Sequence, residues 1–466
     1  MAFIQTAQVE YNSDGGLAAI LKARPGMGEK VAFPADASES LAGVGADGRS
    51  IPALSLGPNS AYLMGDSLAA NGWITTGAPV NFLDMGAEGW AVWASALMGQ
   101  PLNIIGSTAV GGKTAQQVID EQLPAILAAR PSFVFLSCGV NDLYVEGVTA
   151  AVAFNRITTL VRALTDAGIV PIWSTVWARS FVSSGVLAAH LETNDRLRRY
   201  VLGTRNPGLF WDGFRHTVDP ASAQCAGRSS LMYDGSVHPG NALAYYLGKA
   251  CAAAVGAGVP RVPFGGYGAE DQTNATGNRS NLLVNPHLSG SVAVGAVTGV
   301  TGNLPTSWAV DWATRTGTGT AAASIVDVVD PDSGLATARA IQLVLGGAAA
   351  AGDVLRITQA SGFNTLISGG DVVQAECMLQ LINPVQIDGV PMRLQCNTNE
   401  STWWALSNQT KAAYPEGFKA AARTRELTVL GAGAASAARF DVRINMSGAA
   451  SGTIMMWLPR VRKVVA

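Results

Sequence analysis

The sequence predicts a two-part chain: an α/β unit on a parallel sheet, followed by an all-β sandwich. Three observations carry that expectation. Between about Ser60 and Val255, short apolar runs alternate with amphipathic stretches. From about Val259 the chain turns to segments of alternating polarity punctuated by Gly, Pro, Asn and Ser. Its 466 residues also exceed what one hydrophobic core ordinarily serves.

In the first region five runs read as strands: "AYLMG" from Ala61, "LNIIG" from Leu102, "FVFLSCG" from Phe133, "IVPIWSTV" from Ile169 and "GLFWDGF" from Gly208. Each is short and shows little polar alternation, as strands covered on both faces do. Between them "TAQQVIDEQLPAILAAR", "AAVAFNRITTLVRALTDAG" and "LETNDRLRRYVLG" carry apolar residues at helical spacing, and "NALAYYLGKACAAAVGAG" closes the region. Strand and helix alternating in this way imply a five-stranded parallel sheet, right-handed crossovers and a three-layer α/β/α unit over residues 59–258.

The stretch 259–282 reads as a linker, and 283–466 as the sandwich. Its strands are expected at "ARAIQLVLG", "DVVQAECMLQL", "PMRLQCN", "RELTVLG", "ARFDVRINM" and "TIMMWLPRVRKV"; at most "QTKAAYPEGFKAAART" carries a helical signal. Residues 1–58 fit neither pattern and are assigned to an arm, an anchor or an oligomer contact.

Composition removes several function classes. A formal net charge of −2 and the lack of a Lys/Arg-rich run leave no electrostatic footprint for nucleic acid. No stretch of about eighteen apolar residues suggests a membrane span. Five scattered cysteines without a C-x-x-C pair argue against a disulfide framework and a zinc site, and four dispersed histidines offer no metal-ligand spacing; no cofactor is expected. The N-terminus lacks a basic and then apolar leader, which predicts synthesis in the cytoplasm without a signal peptide.

Ligands of an open α/β sheet sit beyond the carboxyl ends of its strands. The first strand ends in Gly65-Asp66-Ser67 and the second leads into "STAVGGKT". The third ends in Gly139-Val140-Asn141-Asp142, and "YDGSVHPG" precedes the last helix. Ser, Gly, Asn, Asp and His thus converge on one edge. These four blocks, in this order, resemble the SGNH hydrolases, or GDSL esterase/lipase family, over roughly Ser60 to Val255. The resemblance implies a flavodoxin-like fold with Ser67 as nucleophile and His238 as base. It also implies an oxyanion hole made by the backbone N–H groups of Ser67 and Gly112 and the side-chain amide of Asn141.

The family's last block usually reads Asp-x-x-His. Here Asp234 stands four residues before His238, so Asp234 is the expected orienting carboxylate and Asp212 the reserve. A serine hydroxyl needs a neighbouring imidazole to take its proton, and an oxyanion needs donors already aimed at it. Trp73 and Tyr144 are candidates to line a substrate pocket.

The C-terminal region resembles the jelly-roll carbohydrate-binding modules attached to hydrolases and phage tail proteins. There Trp308, Trp312, Trp403, Trp404 and Trp457 are weighed as sugar-stacking residues against roles in the core. If adjacent Trp403 and Trp404 lie in one strand, they point to opposite faces, so at most one can be core. The leading expectation is a serine esterase removing O-acetyl groups from a capsule or lipopolysaccharide, as a virion tail protein attached through its N-terminal segment and trimeric if a fibre. The alternatives are a receptor-binding virion protein with a vestigial hydrolase domain, and a lipase or thioesterase.

Overall fold

Ser60–Gly65 (β1), Asn103–Ser107 (β2), Phe133–Ser137 (β3), Val170–Ser174 (β4) and Leu209–Trp211 (β5) pair in the order β5-β4-β3-β1-β2, every pair parallel. All five expected strands are present. The computed structural model describes residues 59–76, 82–86, 88–99, 102–180, 183–260, 281–329, 336–359, 363–405, 416–431, 435 and 437–464. It also describes four strand segments before residue 59, Gln8–Tyr11 with Leu17–Ile20 and Gly43–Val44 with Ser50–Ile51, each pair antiparallel. Most of the expected linker, residues 261–280, lies outside the described residues.

The apolar runs are strands because both faces are covered. All five residues of β3 are buried, and Ala61, Leu63 and Met64 of β1 have no exposed surface. Helices Trp90–Leu97, Ala150–Asp166, Ser184–Gly203 and Asn241–Val255 supply the covering layers. The stretch after β2 is helical but not uniform: a π segment, Val118–Gln122, separates Ala115–Gln117 from Leu123–Ala129. In this strand order the chain reverses direction across the sheet between β1 and β3, where a crevice opens at their carboxyl ends.

The C-terminal region is a large mixed, mostly antiparallel β structure within a 14-stranded hydrogen-bonded network. Its spine is the long strand Ala438–Lys463, which pairs with Val372–Gly389, Ala336–Ala348, Ala351–Gln359 and Met392–Cys396. Of the faintly helical stretch, residues 409–415 lie outside the described residues. In the remainder Phe418–Arg423 is a strand paired with Glu376–Leu381, since cross-strand burial outweighs the helix preference of an Ala-rich segment.

Two strands of that network come from the chain of the α/β region. Ile74–Thr76 and Phe82–Gly86 form an antiparallel pair, and the second lies parallel to Asn399–Ala405 with Thr402 opposite Asp84. Asp84 Oδ1 accepts the Thr402 N–H at 3.1 Å. Arg425 lies over the Trp73 ring, 3.5 Å from its centroid, and its Nη1 donates to the Ile74 carbonyl at 2.8 Å. At the start of helix Asn241–Val255, Asn241 Nδ2 donates to the Asp388 carbonyl at 3.2 Å. The two regions therefore share a sheet and brace one another.

Candidate active site

Gly65 ends β1 in a conformation only glycine holds comfortably, at φ +131°, and a Cβ there would lie 1.8 Å from the Ser137 carbonyl oxygen of β3. Both of its backbone groups are satisfied by one side chain, since Gln122 Oε1 accepts the Gly65 N–H and Gln122 Nε2 donates to the Gly65 carbonyl, each at 2.9 Å. Asp66 then caps the one-turn helix Ser67–Ala70 by accepting the Leu68 N–H at 3.0 Å. The turn leaves Ser67 partly exposed at the crevice. Asp66 itself is buried. Desolvation, with a smaller contribution from the nearby Asp142 charge, pushes its carboxyl up to about 7.

The loop after β2 is tied to the ends of β1 and β3. Thr108 N–H donates to the Leu63 carbonyl at 2.9 Å and Val110 N–H to that of Gly65 at 3.1 Å. Ala115 N–H donates to Asp142 Oδ2 at 2.7 Å, and Asn141 Nδ2 donates to the Lys113 carbonyl at 3.0 Å. Asp142 is held in turn by Arg156 at 2.9 Å. Gly112 adopts φ +80°, a backbone conformation that favours glycine, and Gly111 lies beside the serine, with a Cβ there at ordinary contact distance, 3.7 Å, from Ser67 Cβ.

His238 arrives from the loop before helix Asn241–Val255. Ser67 Oγ and His238 Nε2 are 2.8 Å apart, and His238 Nδ1 and Asp234 Oδ2 are 2.6 Å apart. Asp234 Oδ1 accepts the N–H groups of Ser236, Val237 and His238 at 2.8, 2.9 and 3.2 Å. The extra residue between Asp and His is absorbed by Gly235 at φ +66°. Partial burial works to raise the Asp234 carboxyl, yet these donors and the imidazole hold it below the usual carboxylate range. An ionised Asp234 accepts a hydrogen bond from Nδ1–H and so holds the proton on that nitrogen, which leaves Nε2 free to accept from Ser67. The Tyr233 ring stacks on the imidazole at 5.4 Å and 16°.

Asp212, the reserve carboxylate, is elsewhere, engaged by Arg198 at 3.0 Å and Thr175 at 2.8 Å. A cleft of about 300 Å³ is lined by Ser67, Gly112, Asn141, Arg179, Asp234 and His238, among others. The predicted nucleophile, base, acid and oxyanion residues are thus brought together.

Most of the pocket-lining candidates have partners elsewhere. The Tyr144 hydroxyl lies 2.6 Å from Nδ1 of the buried His190, whose Nε2 is 2.9 Å from the Val176 carbonyl. Trp73 is spent against Arg425. Trp403 is fully buried, and Trp308 and Trp457 are nearly so, because these apolar rings fill the β core. Trp312 donates its Nε1–H to the Thr298 carbonyl at 2.9 Å, with Arg315 over its ring. The side chain of Trp404 lies outside the described residues.

Two contributors escaped sequence reasoning. Gln122 looked like one more polar helix residue, and Arg179 lay in a loop without a motif. No local pattern marks either. Among the described residues, no helix is long and apolar enough to cross a membrane, and no group of three His, Cys, Asp or Glu side chains gathers as for a metal.

Residues 63–244 match the GDSL-like Lipase/Acylhydrolase family. No curated protein matches the chain. Among solved structures, similarity is found to a mutant of an acetyl-xylooligosaccharide esterase from Geobacillus Stearmophilus, at 18% identity and TM-score 0.34 over 43% of this chain and 96% of that one. A GDSL-like lipase from Bacteroides thetaiotaomicron matches at 17% identity and TM-score 0.32, over 43% of this chain and 87% of that one. A psychrotrophic esterase from Pseudoalteromonas sp. matches at 16% identity and TM-score 0.32, over 42% and 96%.

Proposed function

With residues 63–244 forming a GDSL-like lipase/acylhydrolase domain, an ester hydrolase, we propose that the protein removes short acyl groups, acetyl foremost, from an O-acylated polysaccharide. The observation that carries the reading is the continuous contact from Asp234 through His238 to Ser67. Ser67 Oγ attacks the ester carbonyl carbon while its proton passes to His238 Nε2. The carbonyl oxygen, now negative, is received by the N–H groups of Ser67 and Gly112 and by the Asn141 amide. The tetrahedral species collapses, the alcohol departs with the proton from His238, and an acyl-serine remains. Water then attacks the acyl carbon, gives its proton to His238, and the acid is released as Ser67 recovers its proton.

A cleft of about 300 Å³, with a cation on its wall, suits a short acyl group on a polar alcohol better than a long aliphatic chain. The vestigial-hydrolase alternative rested on the longer Asp-to-His spacing, and the 2.6 Å contact across that spacing removes its motivation. A polysaccharide substrate is supported by the β region joined to the catalytic unit. A tail-associated role with the first 58 residues as the attachment segment, and a trimer should the protein form a fibre, is the context that fits this reading.

Labelling with a fluorophosphonate, followed by peptide mapping, tests the site; the adduct is expected on Ser67. Release of acetate from O-acetylated capsule or lipopolysaccharide by wild type, and not by Ser67→Ala, tests the activity. Equal release by both would refute the esterase reading.

A further inference from the structure

We propose that Arg179 is the specificity-determining residue of the cleft and binds a carboxylate on the alcohol part of the ester, so that the preferred substrate is an O-acylated acidic saccharide. This rests on the esterase reading above and adds the charge class of its substrate.

Arg179 follows β4 on a loop whose backbone is fixed to its surroundings. Its carbonyl accepts the Gly227 N–H at 2.8 Å, and the next residue, Ser180, donates its N–H to the Ser236 carbonyl at 2.7 Å. The guanidinium lies over the Tyr144 ring, 5.5 Å from the centroid, and Nε donates to Ser236 Oγ at 3.3 Å. Tyr144 is itself pinned by His190. Among the described residues, neither Nη of Arg179 makes a hydrogen bond or an ion pair, although both belong to a side chain on the wall of the catalytic cleft. Asp234, which lines the same cleft, is already engaged by His238 and three backbone N–H groups. The result is a guanidinium oriented by an aromatic face and one hydrogen bond, with its donor fork open. That fork matches a carboxylate in two parallel hydrogen bonds.

Position decides which half of the ester it reads. Arg179 is anchored to Ser236, two residues before His238. The departing alcohol must take its proton from His238 Nε2, so it leaves along the histidine loop, while the acyl oxygen faces Gly112 and Asn141. A negative charge on the sugar that bears the ester, or on its neighbour, therefore meets Arg179.

The test compares acetate release from the O-acetylated methyl glycosides of glucuronic acid, glucose and a sulfated glucose, using wild type, Arg179→Gln and Arg179→Lys. Wild type is expected to favour the glucuronic ester over the glucose ester in kcat/KM by about tenfold or more, chiefly through KM. Arg179→Gln should bring that ratio towards one, and Arg179→Lys should keep part of it. A wild-type ratio near one, or a ratio unchanged in Arg179→Gln, overturns the assignment and leaves the esterase reading standing. Preference for the sulfated ester over the glucuronic one overturns the assignment to a carboxylate.

If wild type hydrolyses none of the three, the esterase reading on these sugars fails, and a binding measurement still decides the role of Arg179. Calorimetric titration of Ser67→Ala with methyl glucuronide should show binding that the Ser67→Ala, Arg179→Gln double variant lacks. Absence of Arg179-dependent binding overturns the inference.

Discussion

Asp234 reaches His238 with one carboxylate oxygen and caps its own loop with the other. Oδ2 lies 2.6 Å from Nδ1, while Oδ1 collects three backbone N–H groups. The loop's shape and the imidazole's tautomer thus depend on the same side chain. In Asp234→Asn the amide oxygen can still accept the backbone donors, but the amide nitrogen then faces Nδ1. That favours the tautomer with its proton on Nε2, which cannot accept from Ser67. The expected loss in kcat is about 10³–10⁴, with little change in melting temperature. Steady-state hydrolysis of p-nitrophenyl acetate beside a melting curve checks both halves.

The oxyanion side gives a smaller effect. Asn141→Ala removes the side-chain amide that Lys113 holds towards the cleft. A fall in kcat of about 10²–10³ is expected, with KM changed far less, as for loss of a donor that acts on the transition state. A change confined to KM would count against this role.

Gln122 is the supporting residue whose removal should be felt most. It bonds both backbone groups of Gly65; in Gln122→Leu the carbonyl keeps the Val110 N–H, but the buried Gly65 N–H is left without a partner. For that orphaned donor a loss on the order of 1–3 kcal/mol is expected. Urea unfolding measures it directly. Activity per folded molecule should fall as well, because Gly65 sets the direction of the Ser67 turn.

The pH dependence of stability should carry the signature of Asp66. Its folded value is raised, by burial first, from 3.8 to about 7. The stability it contributes is therefore fully present below about pH 4 and is lost as the pH rises through about 7. At about 1.4 kcal/mol for each unit, the full loss is on the order of 4 kcal/mol. Asp66→Asn has no such proton to lose, so its melting temperature should be flatter than wild type between pH 4 and 8 and should overtake it at the alkaline end. Parallel curves would exclude a buried, protonated Asp66.

The parts legible in the sequence share a physical cause. Strands such as Phe133–Ser137 are covered on both faces, so burial is written as an unbroken apolar run. The chemistry of an α/β sheet gathers at strand ends, so Gly65-Asp66-Ser67 and Gly139-Val140-Asn141 could be placed by position. What stayed hidden depends on contacts distant in the chain. Nothing near Gln122 announces that it serves Gly65, 57 residues earlier. Trp73 looked like a pocket residue because it follows Ser67 closely, yet its partner, Arg425, sits in the β region. The expected strands of that region are found, although two of them are one continuous strand, Ala438–Lys463, and another shrinks to Leu427–Thr428. Phe418–Arg423, by contrast, misled because alanine says little about strands when its neighbours decide.

The pairing of Phe82–Gly86 with Asn399–Ala405 bears on how the molecule is made. During synthesis the segment just beyond the nucleophile emerges more than three hundred residues before the strand it must lie against. Closing so long a loop is slow, and until it happens an uncovered edge strand is open to wrong associations. The catalytic half can therefore reach its finished form only once the ribosome has delivered nearly the whole chain. Competence is gained late, and for the assembly as a unit.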